Sequence, residues 1–277
     1  MKKLLTFVLT LALGLTACLG LTACKEDKIV DVTPNQITVG YTVYSPMNYT
    51  DDNGVFCGFD TELALRVFGA LGYDVKFREI DWANKYVELN NDTVDCVWNG
   101  FTRNSTDEDE NGNTVAREDL CDFSIDYMVN GQVLIAKTAN VIDDLSKLEG
   151  KSLAYETNSA ADSLINGDKS KFKGINVNKA NLPYQINAAE QVMNGSKDYA
   201  VIDIILAKDL IANNPSYSDV KICDIDLGVE YYAIAFKTDS ELTAKVNTML
   251  KAFAETGYLT ELAKKYGVES SLITNWD

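Results

Sequence analysis

The chemistry open to this chain is bounded first by a residue type it lacks, since none of its 277 positions is histidine. Ser-His-Asp and Cys-His relays, and zinc held by imidazole, are therefore excluded. Carboxylates, guanidinium groups, hydroxyls and thiols remain. Asp203 ends the apolar run Tyr199-Ala200-Val201-Ile202 and precedes a second apolar run. That position opens at the carboxyl end of a parallel strand, where α/β proteins hold their ligands. It also suits a helix N-cap, and two carboxylate oxygens allow both roles. Ser159 begins the capping-box outline Ser159-Ala160-Ala161-Asp162, whose free backbone N–H groups suit an anion. Arg117 stands beside Glu118 and Asp119, and the residues alone describe a surface arginine paired with either.

Formal charge is −16, from 25 Lys and Arg against 41 Asp and Glu, which repels nucleic acid rather than drawing it in by counterion release. No metal site or cofactor is expected. The acidic run Asp107-Glu108-Asp109-Glu110-Asn111-Gly112-Asn113 brings carboxylates together without the spacing of an EF-hand. The polar stretch 104–114 reads as a solvated loop. Cys57, Cys96, Cys121 and Cys223 form no Cys-x-x-Cys pair, and both buried thiols and one disulfide fit them.

The elements that must position these residues alternate between β-type and helix-period runs, the pattern of an α/β protein. Met1-Lys2-Lys3 followed by apolar Leu4 to Leu15 reads as a secretion signal, too short to span a membrane. Leu21-Thr22-Ala23-Cys24 and Leu15-Thr16-Ala17-Cys18 both resemble the bacterial lipobox. Cys24 is the expected lipid anchor, with Cys18 the alternative, because polar Lys25-Glu26-Asp27-Lys28 begins a tether there. Strands are expected at Gln36–Gly40, Asp74–Phe77, Val94–Trp98, Ser152–Tyr155, Tyr199–Asp203 and Tyr231–Phe236. Asp60 can cap a helix that Gly72 ends. A further helix is expected from Trp82 to Leu89, and a long amphipathic one buries Leu242, Val246, Leu250 and Phe253.

Gly58-Phe59-Asp60-Thr61-Glu62-Leu63 resembles the signature of the family 3 extracellular solute-binding proteins, the amino-acid receptors of ABC importers. The order of later segments strengthens the resemblance: Trp98-Asn99-Gly100-Phe101-Thr102, Arg117 six residues before Phe123-Ser124, Asn158-Ser159-Ala160, Asp198 to Asp203, and Tyr232-Ala233-Ile234-Ala235. It covers nearly all the chain after the signal. It implies a two-lobed, type II periplasmic-binding-protein-like α/β fold, with a signal peptide at 1–23 and a tether at 24–34. Lobe one takes 35–128 plus 231–277 and lobe two 129–230, joined at crossings near Tyr127 to Gly131 and Gly228 to Tyr231.

The same resemblance assigns roles. Arg117 takes the ligand carboxylate, with Arg103 the rival because an acidic insertion separates Thr102 from Arg117. Asp203 takes the α-ammonium, helped by the Gly100 carbonyl and the Thr102 hydroxyl. Trp82 covers the ligand's apolar part, Tyr44 or Tyr49 forms the opposite wall, and Ser159 with Asn158 meets the carboxylate. A zwitterion needs such an Arg and Asp because both of its charges must leave water. The implied protein is a lipid-anchored, extracytoplasmic monomer that captures an amino acid by hinge closure and hands it to a permease. Gly40-Tyr41-Thr42-Val43 lacks the acidic residue of many receptors for basic amino acids, so a polar or neutral amino acid is the expected ligand. Two rivals stand: a dehydratase-like enzyme on the same fold, using Glu156 or Glu230 as general acid, and a sensing module acting through a partner chain.

Overall fold

The computed structural model describes residues 35–276. The signal segment 1–23, the tether 24–34, Cys18 and Cys24 lie outside the described residues. The chain opens with strand β1 (Asn35–Tyr41), the short ribbon β2 (Tyr49–Thr50) and β3 (Phe56–Cys57), helix α1 (Phe59–Ala70) and β4 (Tyr73–Glu79). Then come α2 (Lys85–Asn90), β5 (Cys96–Thr102), the hairpin β6 (Thr106–Glu108) and β7 (Thr114–Ala116), β8 (Asp122–Phe123) and β9 (Met128–Asn130). The middle holds β10 (Gln132–Lys137), β11 (Ser152–Glu156), α3 (Ala160–Asn166), β12 (Asn178–Leu182), α4 (Gln185–Met193) and β13 (Tyr199–Asp203). It ends with α5 (Ile204–Asn213), β14 (Val220–Ile222), β15 (Glu230–Phe236), α6 (Glu241–Glu255) and α7 (Tyr258–Lys265).

Two mixed sheets result. The first runs β4-β1-β5-β15-β8, with β9 also on β15, and the second runs β12-β11-β13-β10-β14. In the first sheet β1 is parallel to β4 and β5, while β15 is antiparallel to β5. In the second, β11 is parallel to β12 and β13, and β10 is antiparallel to β13. All of β5 is buried, with Cys96 and Trp98 packed into one core cluster and Val97 and Phe101 into another, so both faces of the strand are covered. The amphipathic α6 buries Val246, Leu250 and Phe253, as its spacing predicts, whereas Leu242 in its first turn is only half-buried.

Passage between the sheets is brief. Gly131 alone separates β9 from β10, and β9 lies antiparallel to β15 with Asn130 opposite Glu230. A Cβ at Gly131 would stand 2.8 Å from the Gly228 carbonyl oxygen, so the two crossing segments can touch only because glycine is there.

Three local expectations are corrected. Gly58 rather than Asp60 sits at the N-cap of α1, because the Asp60 side chain turns inward to accept from the Gly100 N–H at 2.8 Å and the Tyr127 hydroxyl at 2.9 Å. The helix expected at Trp82–Leu89 divides into a 3-10 turn, Trp82–Asn84, capped by Asp81, and then α2. The stretch 104–114 is not simply a solvated loop. It folds into the β6–β7 hairpin, because Asp107 finds buried cationic partners. The four described cysteines are free thiols, with Cys96, Cys121 and Cys223 buried and Cys57 half-buried.

Candidate ligand cleft

The carboxyl ends of β1, β5, β11 and β13 converge on a cleft, the place where open α/β sheets present their chemistry. The first sheet and its connections contribute Thr42, Trp82, Asn99, Gly100, Thr102 and Arg117 to the lining. Facing them, from the second sheet and its helices, are Gln132, Glu156, Ser159, Ala160, Gln185 and Asp203.

Asp203 is held by amides. Its Oδ1 accepts from the Asn130 Nδ2 at 2.9 Å and from Gln132 Nε2, and its Oδ2 accepts from Gln185 Nε2 at 2.7 Å. It occupies the N-cap position of α5 but makes no side-chain cap bond, so the carboxylate serves the cleft and not the helix. Asn130 and Gln132 also donate to Glu230 Oε2, at 2.8 and 3.0 Å, and the Thr102 hydroxyl reaches the same oxygen at 3.1 Å. Burial, then repulsion from Asp203, pushes the Glu230 carboxyl up to about 7, against those amide donors. Burial and Asp203 likewise hold the Glu156 carboxyl well above the usual range.

The opposite wall is cationic. Arg117 is 1% exposed, donates from Nη1 to the Thr102 carbonyl at 2.9 Å and from Nη2 to Asp107 Oδ1 at 3.1 Å, and lies 5.2 Å from the Phe101 ring centroid. Its Nε has no hydrogen-bond partner among the described residues. Asp107 also pairs with Lys85 at 3.0 Å and accepts from the Tyr86 hydroxyl at 2.7 Å. Lys85, equally buried, reaches across to the Asn158 carbonyl before α3 at 2.9 Å. Burial pushes the Lys85 ammonium down to about 8; Arg117 adds to that fall and Asp107 opposes it. For Asp107, burial favours the neutral acid, but Arg117 and Lys85 outweigh it and hold the carboxyl below the ordinary range.

Gly100 adopts a φ of +58°, and an added Cβ would lie 2.8 Å from the Tyr232 ring and 2.9 Å from that of Tyr44. The two tyrosine hydroxyls share a 2.7 Å hydrogen bond. Trp82 lines the cleft but is 6% exposed, packed edge-on to Phe101 at 4.9 Å with its indole N–H unpartnered. Ser159 caps α3 through the Asp162 N–H at 3.2 Å.

The structure therefore gathers Arg117, Asp203, Thr102, Gly100, Trp82 and Ser159 around one cleft. Asn158 and Tyr44 are outside its lining. The left-handed backbone of Asn158 offers a carbonyl to Lys85, and Tyr44 stands behind the wall against Tyr232. The rival Arg103 is tied to Asp126 at 2.7 Å and to Glu118 at 2.5 Å, away from the cleft. Asp107, Lys85, Gln132 and Gln185 were not among the expected residues. Lys85 stands three positions after Trp82, which places both on one side of a helical turn. The other three had no local signal, since each acts through a contact distant in sequence.

The sequence profile of the bacterial extracellular solute-binding proteins, family 3, matches residues 37–269. The chain belongs to this family. Among its relatives, the arginine-binding extracellular protein ArtP of Bacillus subtilis is 27% identical over 230 residues, spanning 80% of this chain and 82% of ArtP. The L-cystine-binding protein TcyA of the same organism is 26% identical over 234 residues, covering 83% and 80%. A substrate-binding protein of an ABC uptake transporter from Streptococcus pneumoniae, solved with bound histidine, superimposes with a TM-score of 0.71 at 27% identity, covering 83% of this chain and 92% of that one. The expected type II periplasmic-binding-protein architecture holds. A more distant match, 23% identical over 170 residues, is the cyclohexadienyl dehydratase of Pseudomonas aeruginosa, covering 60% of this chain and 58% of the enzyme.

Proposed function

We propose that this family 3 protein captures a free amino acid in the cleft and delivers it to the permease of an ABC importer. The observation that carries the reading is the placement of Arg117 and Asp203 on facing walls of one cleft. A zwitterion bridges them, its carboxylate on the Arg117 edge that carries the unpartnered Nε and its ammonium on Asp203. Lobe one (35–128 plus 231–277) and lobe two (129–230) rotate about the paired crossings, and the ligand favours the closed form because only that form presents both walls. The protein acts as a monomer, anchored through lipidated Cys24 on the extracytoplasmic side of the membrane.

A polar or neutral amino acid is the first choice of ligand, since the Gly40-Tyr41-Thr42-Val43 segment carries no acid for a basic side chain. A cationic amino acid is the second reading. It is favoured by Glu156, a cleft carboxyl with no side-chain cation within salt-bridge distance among the described residues, and by the name of ArtP. Calorimetry against the twenty amino acids plus cystine tests the function: at least one binds at micromolar Kd or tighter, and failure of all of them refutes it. Turnover of prephenate or arogenate would instead establish the dehydratase alternative, with Glu156 or Glu230 as general acid.

A further inference from the structure

Between Thr102 and Arg117 the chain inserts the β6–β7 hairpin, and a single side chain of that hairpin, Asp107, enters the cationic wall. Its neighbours on the strand, Thr106 and Glu108, are exposed. The hairpin is fixed at this point from both sides. The Ser163 hydroxyl of α3 donates to the Thr106 carbonyl, and Lys85 runs on from Asp107 to the Asn158 carbonyl. The wall thus holds two buried cations, Arg117 and Lys85, and one buried anion between them. One positive charge is left over, and one Arg117 nitrogen, Nε, is left without a partner among the described residues. That is the complement of a single carboxylate.

We propose that Asp107 is a specificity-determining residue: it cancels one of the two buried cations, so that the cleft accepts one ligand carboxylate and rejects an amino acid carrying a second. The inference deepens the amino-acid reading above and rests on it. Without Asp107 the wall would carry two unneutralised cations in a water-poor site, where charge complementarity decides between partners. A ligand such as L-glutamate would then gain relative to a neutral amino acid. With Asp107 present, its second carboxylate finds no further uncompensated cation and lies in a cleft lined by Asp203 and Glu156.

The test is calorimetry of the wild type, Asp107→Asn and the double variant Lys85→Met/Asp107→Asn. The probes are L-glutamate and whichever of the twenty amino acids binds the wild type most tightly. In Asp107→Asn the Kd ratio between the two probes is expected to move toward L-glutamate by about tenfold or more. The double variant returns the wall to one excess cation, so it is expected to restore the wild-type ratio. It also leaves no orphaned ammonium, which keeps the test intact if the single variant folds poorly. A merely structural role for Asp107 would weaken both probes alike and would not be rescued by removing Lys85. Exposed Glu108→Gln is the control for general surface charge. An unchanged ratio in Asp107→Asn, an equal change in Glu108→Gln, or no recovery in the double variant overturns the inference alone. A wild type that binds none of the twenty overturns the amino-acid reading and this inference together.

Discussion

Asp60 offers a quantitative check on how the floor of the cleft is built. It is 0% exposed, and burial pushes its carboxyl from 3.8 up to about 7, although the Tyr127 hydroxyl and the Gly100 N–H favour the charged form. Between those two pH values the folded protein holds a proton that the unfolded chain has released, so stability must fall as pH rises across that window. Three units at about 1.36 kcal/mol each give a total of about 4 kcal/mol. Asp60→Asn keeps an oxygen for Gly100 and Tyr127 and removes the titration. Its amide N–H₂ would take the place of Oδ1, which is buried with no hydrogen-bond partner among the described residues, costing about 1–3 kcal/mol at every pH. The difference in unfolding free energy between variant and wild type is therefore expected to shift by about 4 kcal/mol, in the variant's favour, from pH 4 to pH 8. Urea titrations of the ligand-free protein at half-unit pH steps measure this. Parallel pH profiles for the two proteins would show that the Asp60 carboxyl does not titrate in this window, and the account of the floor would be wrong.

Glu230, raised to about 7 by burial and Asp203, has the same sign, so Glu230→Gln is expected to remove a second portion of the stability loss above about pH 4.5, read in the same titrations. Arg117→Ala and Asp203→Ala are each expected to weaken the tightest amino acid by about 2 kcal/mol or more, roughly 30-fold in Kd, by calorimetry; unchanged affinity in both would refute the site. Gly100→Ala combines a left-handed backbone with a 2.8 Å approach to Tyr232 and is expected to cost roughly 2–4 kcal/mol in thermal or urea unfolding. Of the described cysteines, half-buried Cys57 is expected to react with a thiol reagent under native conditions. Cys96, Cys121 and Cys223 should react only on unfolding, since burial raises each thiol's pKa.

The strands were legible wherever one run of residues decides burial by itself. Tyr199–Asp203 and Ser152–Glu156 are apolar strands ending in a carboxylate, and that ending is visible in the sequence as a place in the cleft. Arg117 was legible only through its spacing from Phe123-Ser124, because its neighbours Glu118 and Asp119 describe a surface residue. Asp107 shows why the rest was not. A run of carboxylates in a polar stretch has the composition of a loop, and only one of them finds cations from α2 and from the turn after β7. The amides around Asp203 were illegible for the same reason. Gln132 faces it across the β10–β13 register, and Gln185 comes from the start of α4.

That amide belt has a kinetic consequence. Three side chains immobilise the Asp203 carboxylate when the chain folds, so little rotamer entropy is left to lose when a guest arrives. Encounter should proceed at similar speed for acceptable and unacceptable guests, and residence time should separate them.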